Sequence, residues 1–274
     1  MSELIFGPEE TWGTSADADT DEPAYRRIAK YYQRKITKGE LPDGAKLPSN
    51  REMCDLHKVS EITARNAVNL LQEWGIAVGV RGKGVFVRRP VKGKRTVPER
   101  YWRRESLGAE RTYVREADRA GLPVEVQHHS RKGKAPAAIG RRLNIETSEP
   151  VMITRYLISM GGQPVTSSLS YEPLNLTRGT PIEWPHEGPL GTQGIVPRFD
   201  SIGVQVNEVT ENLRVRFPTV AEAKTLDMPR SQPVIEIEQT FRRVQPGHAD
   251  VVVQTADIVF PADRYELEYK MEVR

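Results

Sequence analysis

The sequence predicts an α+β protein of two unequal parts: a small helical unit closed by a short hairpin, then, after a basic stretch, a larger domain built on an antiparallel sheet. Three observations carry this reading. Apolar residues recur at helical spacing between Pro23 and Trp74, β-rich runs broken by Gly and Pro take over from about Thr112, and positive charge is concentrated in one segment. At 274 residues the chain is long enough for two domains, each with its own core.

The charge is informative only when split along the chain, because a partner feels the local field. The formal net charge is +3, yet residues 1–20 hold five acids and no base, residues 21–100 hold 18 bases against nine acids, and the rest is nearly balanced. A basic segment is the footprint of an anionic partner, although a solvated face would show the same composition. The chain has no apolar run near the roughly 20 residues needed to cross a bilayer and no basic-then-apolar leader, so a cytoplasmic protein without a membrane partner is expected. A single cysteine, Cys54, excludes an intramolecular disulfide and a Cys-x-x-Cys metal pair, and agrees with a reducing compartment.

Residues 1–21, acidic and without period, are expected to be a disordered arm. From Pro23, the apolar positions Tyr25, Ile28, Ala29, Tyr32 and Ile36 predict an amphipathic helix that Gly39 closes. Leu41-Pro42-Asp43-Gly44 is a turn, and Ser49 with Glu52 forms the reciprocal start of a second helix reaching about His57. A bend at Lys58-Val59 leads to Ser60, which caps a third helix ending near Gly75. At roughly 100° per residue, Ala64, Ala67, Val68, Leu71 and Trp74 gather on one side of that helix, and Ile62, Arg65, Asn66 and Asn69 on the other. The apolar side packs and the polar side is free to read. A helix entering a major groove does so with its N-terminal residues, where arginine grips guanine or phosphate and asparagine pairs with adenine. An ordinary surface helix would be equally amphipathic; the continuation shifts the balance. Ile76–Val80 and Val85–Val87 read as two strands around Arg81-Gly82-Lys83-Gly84, a tight basic hairpin. Two helices joined by a bend and followed by such a hairpin make a winged helix-turn-helix over residues 22–88. Gly82-x-Gly84 lacks the third glycine and the Lys-Ser/Thr pair of a phosphate loop.

Pro23-x-Tyr25, Ile28-Ala29, Ile36-x2-Gly39-x-Leu41, Gly44-x-Lys46-Leu47-Pro48-Ser49-x-Arg51-Glu52, Val59-Ser60 and Gly82-x-Gly84-x-Phe86-Val87 together resemble the N-terminal domain of the GntR family of bacterial transcriptional regulators. The resemblance implies that Arg51, Ser60, Thr63, Arg65 and the wing tip at Gly82 touch DNA. Asn66 on the same helix front, and Arg81 and Lys83 beside Gly82, complete the expected interface. Glu61 and Ile62 stand where the family often has arginine and threonine, and Lys58 replaces its usual turn glycine. An acid at that place repels phosphate or accepts from a cytosine amino group, which implies a different operator.

The segment 89–111 is read as a basic linker; the bases after Val87, from Arg88 and Arg89 through Lys92, Lys94, Arg95, Arg100 and Arg103 to Arg104, graze phosphates or merely solubilise a hinge. From 112 to 274, strands are expected at 124–128, 151–159, 165–171, 204–215, 234–244, 251–260 and 265–273, with short helices at 135–143 and 219–226. An internal echo is visible. Leu143-Asn144-Ile145 before Pro150-Val151 returns as Leu226-Asp227-Met228 before Pro233-Val234, which implies two related halves facing each other across a cleft.

The echo, Gly162-x-Pro164-Val165, Ser170-Tyr171-x-Pro173 and Ala262-Asp263-Arg264-Tyr265 resemble the UTRA effector domain of the HutC subfamily, a chorismate-lyase-like fold. The resemblance implies a pocket for a small metabolite lined by Arg155, Ser168, Ser170, Gln254 and Phe260. Ser168 and Gln254 stand where many relatives have glutamate and Pro261 where many have arginine, which tells against a sugar phosphate. Adjacent His128 and His129 alternate sides of a strand, and His57, His186 and His248 lack ligand spacing, so no metal and no cofactor is expected. Trp184 reads as a loop anchor. No nucleophile–base pair or carboxylate dyad is present to argue for an enzyme. The expected function is that of a homodimeric repressor on an inverted-repeat operator, modulated by a small-molecule effector. The alternative is a constitutive repressor with a dimerisation-only C-terminal domain, resembling the transfer regulators of actinobacterial conjugative plasmids.

Overall fold

The structure, a computed structural model, describes residues 22–89, 93–96 and 111–269. The chain divides into two compact units, Met1–Arg89 and Pro90–Arg274. The acidic leader, four of the linker bases (Lys92, Arg100, Arg103 and Arg104) and the end of the last expected strand lie outside the described residues.

In the first unit, α1 (Ala24–Thr37) follows Pro23 and buries Ile28, Ala29, Tyr32 and Ile36 as one stripe. Helix α2 (Asn50–His57) starts with both halves of a capping box. Glu52 N donates to Ser49 Oγ at 3.3 Å and Ser49 N to Glu52 Oε2 at 2.7 Å; such caps contribute about 1 kcal/mol. Lys58 carries the bend in a left-handed conformation, φ 54°, where a glycine would sit without strain. Helix α3 (Glu61–Glu73) begins on Ser60, whose Oγ accepts from Thr63 N at 3.2 Å. Its Ala64, Ala67, Val68 and Leu71 are buried with Leu47 and Met53 in a single cluster, against which Trp74 and Cys54 pack. Burial of each large side chain stabilises the unit by about 1.5–3 kcal/mol.

Strands β1 (Ala77–Val80) and β2 (Gly84–Val87) pair antiparallel with Val80 opposite Gly84, leaving Arg81-Gly82-Lys83 as the tip. Gly84 has φ +112°, a backbone conformation that residues with a side chain rarely adopt, so the base of the hairpin requires glycine. Arg89 belongs to this unit rather than to a phosphate-grazing linker. Its guanidinium donates to the carbonyls of Ile36 and Thr37 at 2.9 and 3.1 Å, satisfying the C-terminus of α1.

The second unit holds a six-stranded antiparallel sheet. Its strands are β4 (Val124–Lys134), β5 (Pro150–Met160), β6 (Gln163–Pro173), β7 (Glu208–Arg216), β8 (Val234–Arg243) and β9 (Val251–Pro261), in the order β4-β5-β6-β9-β8-β7. Helices α5 (Ala137–Leu143) and α8 (Val220–Thr225) lie on one face. Leu143 packs there with Ile153 and Tyr171, and Leu226 with Val234 and Val259. The echo thus has a structural counterpart: Asn144 and Asp227 both end their helices in left-handed conformations, φ 53° and 45°, before β5 and β8. The halves do not face each other across a cleft, however. They lie side by side in one sheet, joined where β6 pairs with β9.

Helix α4 (Thr112–Ala120), expected only as the start of a β-rich region, lies with the other sheet face. Its Ala117 joins Ile158 and Met160 in one cluster. The rest of that face is covered by residues 174–206, including α6 (Leu174–Thr177) and α7 (Ile195–Asp200). From this segment Ile182, Phe199 and Val206 cluster with Phe241 and Val253 of the sheet.

The expected linker is in part a strand. β3 (Gly93–Thr96) pairs parallel with β10 (Tyr265–Glu268). Arg95, read as a phosphate-grazing base, is buried in an ion pair with Glu211, and Lys94 pairs with Glu268 at 2.7 Å. Both charges are neutralised within the unit.

Candidate nucleic-acid interface and effector-domain face

The packed stripe of α3 fixes what its other side offers. Ile62 is 69% exposed at the N-terminal end, and Glu61, Arg65 and Asn66 are exposed beside it. Thr63 is half-buried, its Oγ1 2.9 Å from Ser60 Oγ, so these two hydroxyls are already spent on the helix cap. Arg51 is exposed on the first turn of α2. Arg81, Gly82 and Lys83 are exposed at the wing tip. The ten expected contact residues therefore lie at the starts of α2 and α3 and on the wing of one unit.

The wheel places Glu61 and Arg65 one turn apart on the same face, a pairing the sequence reading did not draw. Arg65 Nη2 donates to Glu61 Oε1 at 2.9 Å, an exposed pair one turn apart. Such pairs are worth only about 0.3–0.5 kcal/mol, so the guanidinium is lightly held.

In the second unit the pairing registers sort the five expected effector residues. Tyr156 lies opposite Ser168 and Thr154 opposite Ser170, on the face covered by residues 174–206. Gln254 and Phe260 share that face; Gln254 Nε2 donates to Glu172 Oε1 at 2.9 Å, and the Phe260 ring lies 4.8 Å from that of Tyr265. Arg155 lies opposite Leu169, on the helix face, and is exposed. Alternation along β5 therefore separates Arg155 from the other four, and the structure does not bring it to their side.

What the sequence reading missed is the charge at the centre of this face. Arg198 on α7 is fully buried and donates to both oxygens of Glu172, at 3.0 and 3.1 Å, and to Ile182 O at 2.9 Å. Glu172 outweighs the cost of burial and holds the Arg198 pKa up. Beside this pair, Arg111 donates to Gly191 O at 3.0 Å and its guanidinium lies 6.0 Å from the Tyr156 ring. His186, at φ 77°, stacks on His128 with centroids 4.0 Å apart. Burial, reinforced by Arg111 and His128, holds its imidazole down to about 3, so it is neutral at ordinary pH. Trp184 is half-buried, with Lys132 Nζ 5.3 Å from its ring. The signals were present in isolation, an arginine inside the apolar Ile195-Val196-Pro197-Arg198-Phe199 and a glutamate in a strand core, but their pairing spans 26 residues. Among the described residues no group of three or more His, Cys, Asp or Glu could hold a metal ion, and no helix is long and apolar enough to cross a membrane.

A winged helix with an exposed, polar recognition front, joined to a separate sheet domain, defines a DNA-binding regulator. Comparison with known proteins agrees. Residues 24–87 match the bacterial regulatory proteins of the gntR family, and residues 120–266 match the UTRA domain. The chain is 27% identical over 258 residues to the HTH-type transcriptional regulator SCO4628 of Streptomyces coelicolor, covering 92% of this chain and 93% of the relative. It is 27% identical over 233 residues to Rv0792c of Mycobacterium tuberculosis, covering 84% and 81%. A GntR-family regulator of known crystal structure is 33% identical, with coverage of 92% and 99% and a TM-score of 0.58. PhnF from Mycobacterium smegmatis, at 18% identity, covers 90% and 100% with a TM-score of 0.53 and shares the fold. The chain belongs to the GntR family and carries a UTRA domain of the HutC type. It is a transcriptional regulator with a DNA-binding domain, not an enzyme.

Proposed function

We propose that the protein is a cytoplasmic repressor that binds an inverted-repeat operator as a homodimer, with a small-molecule effector taken up on the loop-covered face of its UTRA domain. The observation that carries the DNA-reading half is the exposed N-terminal front of α3, Ile62, Arg65 and Asn66, beside a basic wing on the same compact unit. Arg65 and Asn66 offer base-edge contacts, while Arg51, Arg81 and Lys83 offer phosphate contacts that position without specifying. Two such units on a twofold axis fit half-sites one helical turn apart, about 10 base pairs centre to centre. Selection of duplexes from a random pool tests this: a palindrome with that spacing is expected, and an unenriched pool refutes sequence reading.

For the effector, Ser168, Ser170, Gln254 and Phe260 are assigned to the site, and Arg155 is left out because it lies on the other face. The second reading, a UTRA domain that responds to nothing, draws support from the saturation of Glu172 by Arg198 and Gln254. A thermal-shift screen of metabolites separates the two, since a ligand of the native state raises the melting temperature.

A further inference from the structure

The winged-helix unit holds a groove of about 510 Å³ between α1 and the C-terminal end of α2, with Ile28 and Val59 among its lining residues. That volume falls in the roughly 300–1,000 Å³ typical of small-ligand sites. Three of the lining rings stand in mutual edge-on contact: the centroids of Tyr31 and Tyr32 are 5.2 Å apart, those of Tyr31 and His57 5.5 Å, and those of Tyr32 and His57 5.6 Å. Tyr32 Oη lies 3.2 Å from His57 Nε2, and Lys35 Nζ lies 5.1 Å from the Tyr31 centroid. The aromatic wall is therefore braced before anything binds, which lowers the cost of ordering it around a ligand. Yet Tyr31 is 39% exposed, and Leu56, which also lines the groove, is 65% exposed. No residue of the DNA-reading front or of the wing tip lines the groove, so a duplex held by those residues does not fill it.

The charge around the groove says what fits. Arg27, one turn before Tyr31, is exposed, and its guanidinium makes no ion pair or hydrogen bond among the described residues. Burial holds the His57 imidazole below its ordinary pKa, so it is neutral at ordinary pH and Arg27 is the one full charge among the lining residues. We propose that this groove is a second ligand site, separate from the UTRA domain, and that it takes a flat aromatic acid, the ring against Tyr31 and Leu56 and the carboxylate on Arg27. Aromatic pairs gain more than the area they bury, which favours a ring over an alkyl chain. A planar guanidinium grips a carboxylate through two parallel N–H donors, which favours an acid over a neutral compound. An amine is repelled by Arg27 and meets no acid among the lining residues. Val59 belongs to the bend, after the left-handed Lys58, that carries the chain into the Ser60 cap, so an occupant sits against the segment that presents α3. The site stands whether or not the UTRA domain takes an effector.

The test uses the full chain and indole-3-acetate as the probe, with tryptophol, an indole without the carboxylate, and propionate, a carboxylate without the ring, as its two controls. At millimolar concentration indole-3-acetate is expected to raise the winged-helix transition in scanning calorimetry and to leave the UTRA transition in place, because a ligand stabilises the unit that holds it. Arg27→Gln should weaken indole-3-acetate by about tenfold in titration calorimetry and leave tryptophol unchanged, as the loss of one charged hydrogen-bonding partner implies. Leu56→Glu should weaken it likewise by setting an acid at the lip. Both positions face solvent, and ligand-free melting at the wild-type temperature checks the fold. An unmoved winged-helix transition, a shift in the UTRA transition alone, or propionate bound as tightly as indole-3-acetate overturns the site. So does binding that both substitutions leave unchanged, or a Leu56→Glu chain whose oligomeric state differs in sedimentation, which would mean that another chain covers the groove.

Discussion

Replacement of Glu172 by Gln tests the energetics of the UTRA domain where they are most concentrated. The Glu172 and Arg198 side chains are each 1% exposed, so neither charge has water to fall back on. The substitution preserves shape and the Gln254 contact region but leaves the Arg198 guanidinium as a buried cation facing only Ile182 O and a neutral amide. Breaking one side of a buried pair in this way costs about 3–5 kcal/mol. In a domain of 150–250 residues each kcal/mol moves the midpoint by about 2–4 °C, so the UTRA transition is expected to fall by about 6–20 °C in calorimetry of the full chain. The winged-helix transition should stay where it is, because the pair lies wholly in the other unit. Replacing both partners, Glu172→Met with Arg198→Met, should recover most of the loss, since removal of the whole pair leaves no orphan charge. A single-variant shift under 2 °C, or a double variant as unstable as the single, would refute the reasoning.

Three further outcomes are expected. Gly84→Ala forces a side chain onto φ +112°, and should destabilise the winged helix by about 1–3 kcal/mol and weaken binding to all DNA, measured by melting and anisotropy. Lys58→Gly relieves the left-handed bend before α3 and should raise the stability of that unit by about 0.5–1 kcal/mol in urea titration. His186 is held neutral in the fold and binds a proton more readily when unfolded, so it contributes stability above pH 6.5 that is lost as pH falls from there toward 3. The slope is under about 1 kcal/mol per pH unit because the ring is partly exposed. His186→Asn, which tolerates positive φ, should flatten the acid limb of the UTRA melting curve.

Local signals made the winged helix readable. Ser49 with Glu52, Ser60, and the apolar spacing of Ala64, Ala67, Val68 and Leu71 each act within one or two helical turns, and the structure realises each. Gly82 and Gly84 fixed the hairpin in the same way. The charges beyond Val87 were harder, because a base's role depends on partners far along the chain. Arg89 reaches back to α1, and Arg95 forward to Glu211. Charge counting read both as free for phosphate. The strands of the UTRA domain were legible from β-rich runs, yet their faces were not: Arg155 and Ser168 looked equivalent until the register showed that one lies opposite Leu169 and the other opposite Tyr156. Helix α4 was missed although Tyr113, Val114, Ala117 and Ala120 recur at helical spacing, because the whole region from Thr112 was read as strands, and Arg198 because a buried arginine announces itself only through its carboxylate.

The central claim is that the exposed front of α3 reads bases while the wing holds the backbone. The direct measurement is anisotropy of Arg65→Ala and Lys83→Ala on a selected operator and a scrambled duplex across a salt series. Arg65→Ala should weaken operator binding by about 1–3 kcal/mol while sparing the scrambled duplex, and Lys83→Ala should weaken both alike and flatten the salt slope by about one. Equal losses on both duplexes for both variants would contradict the claim.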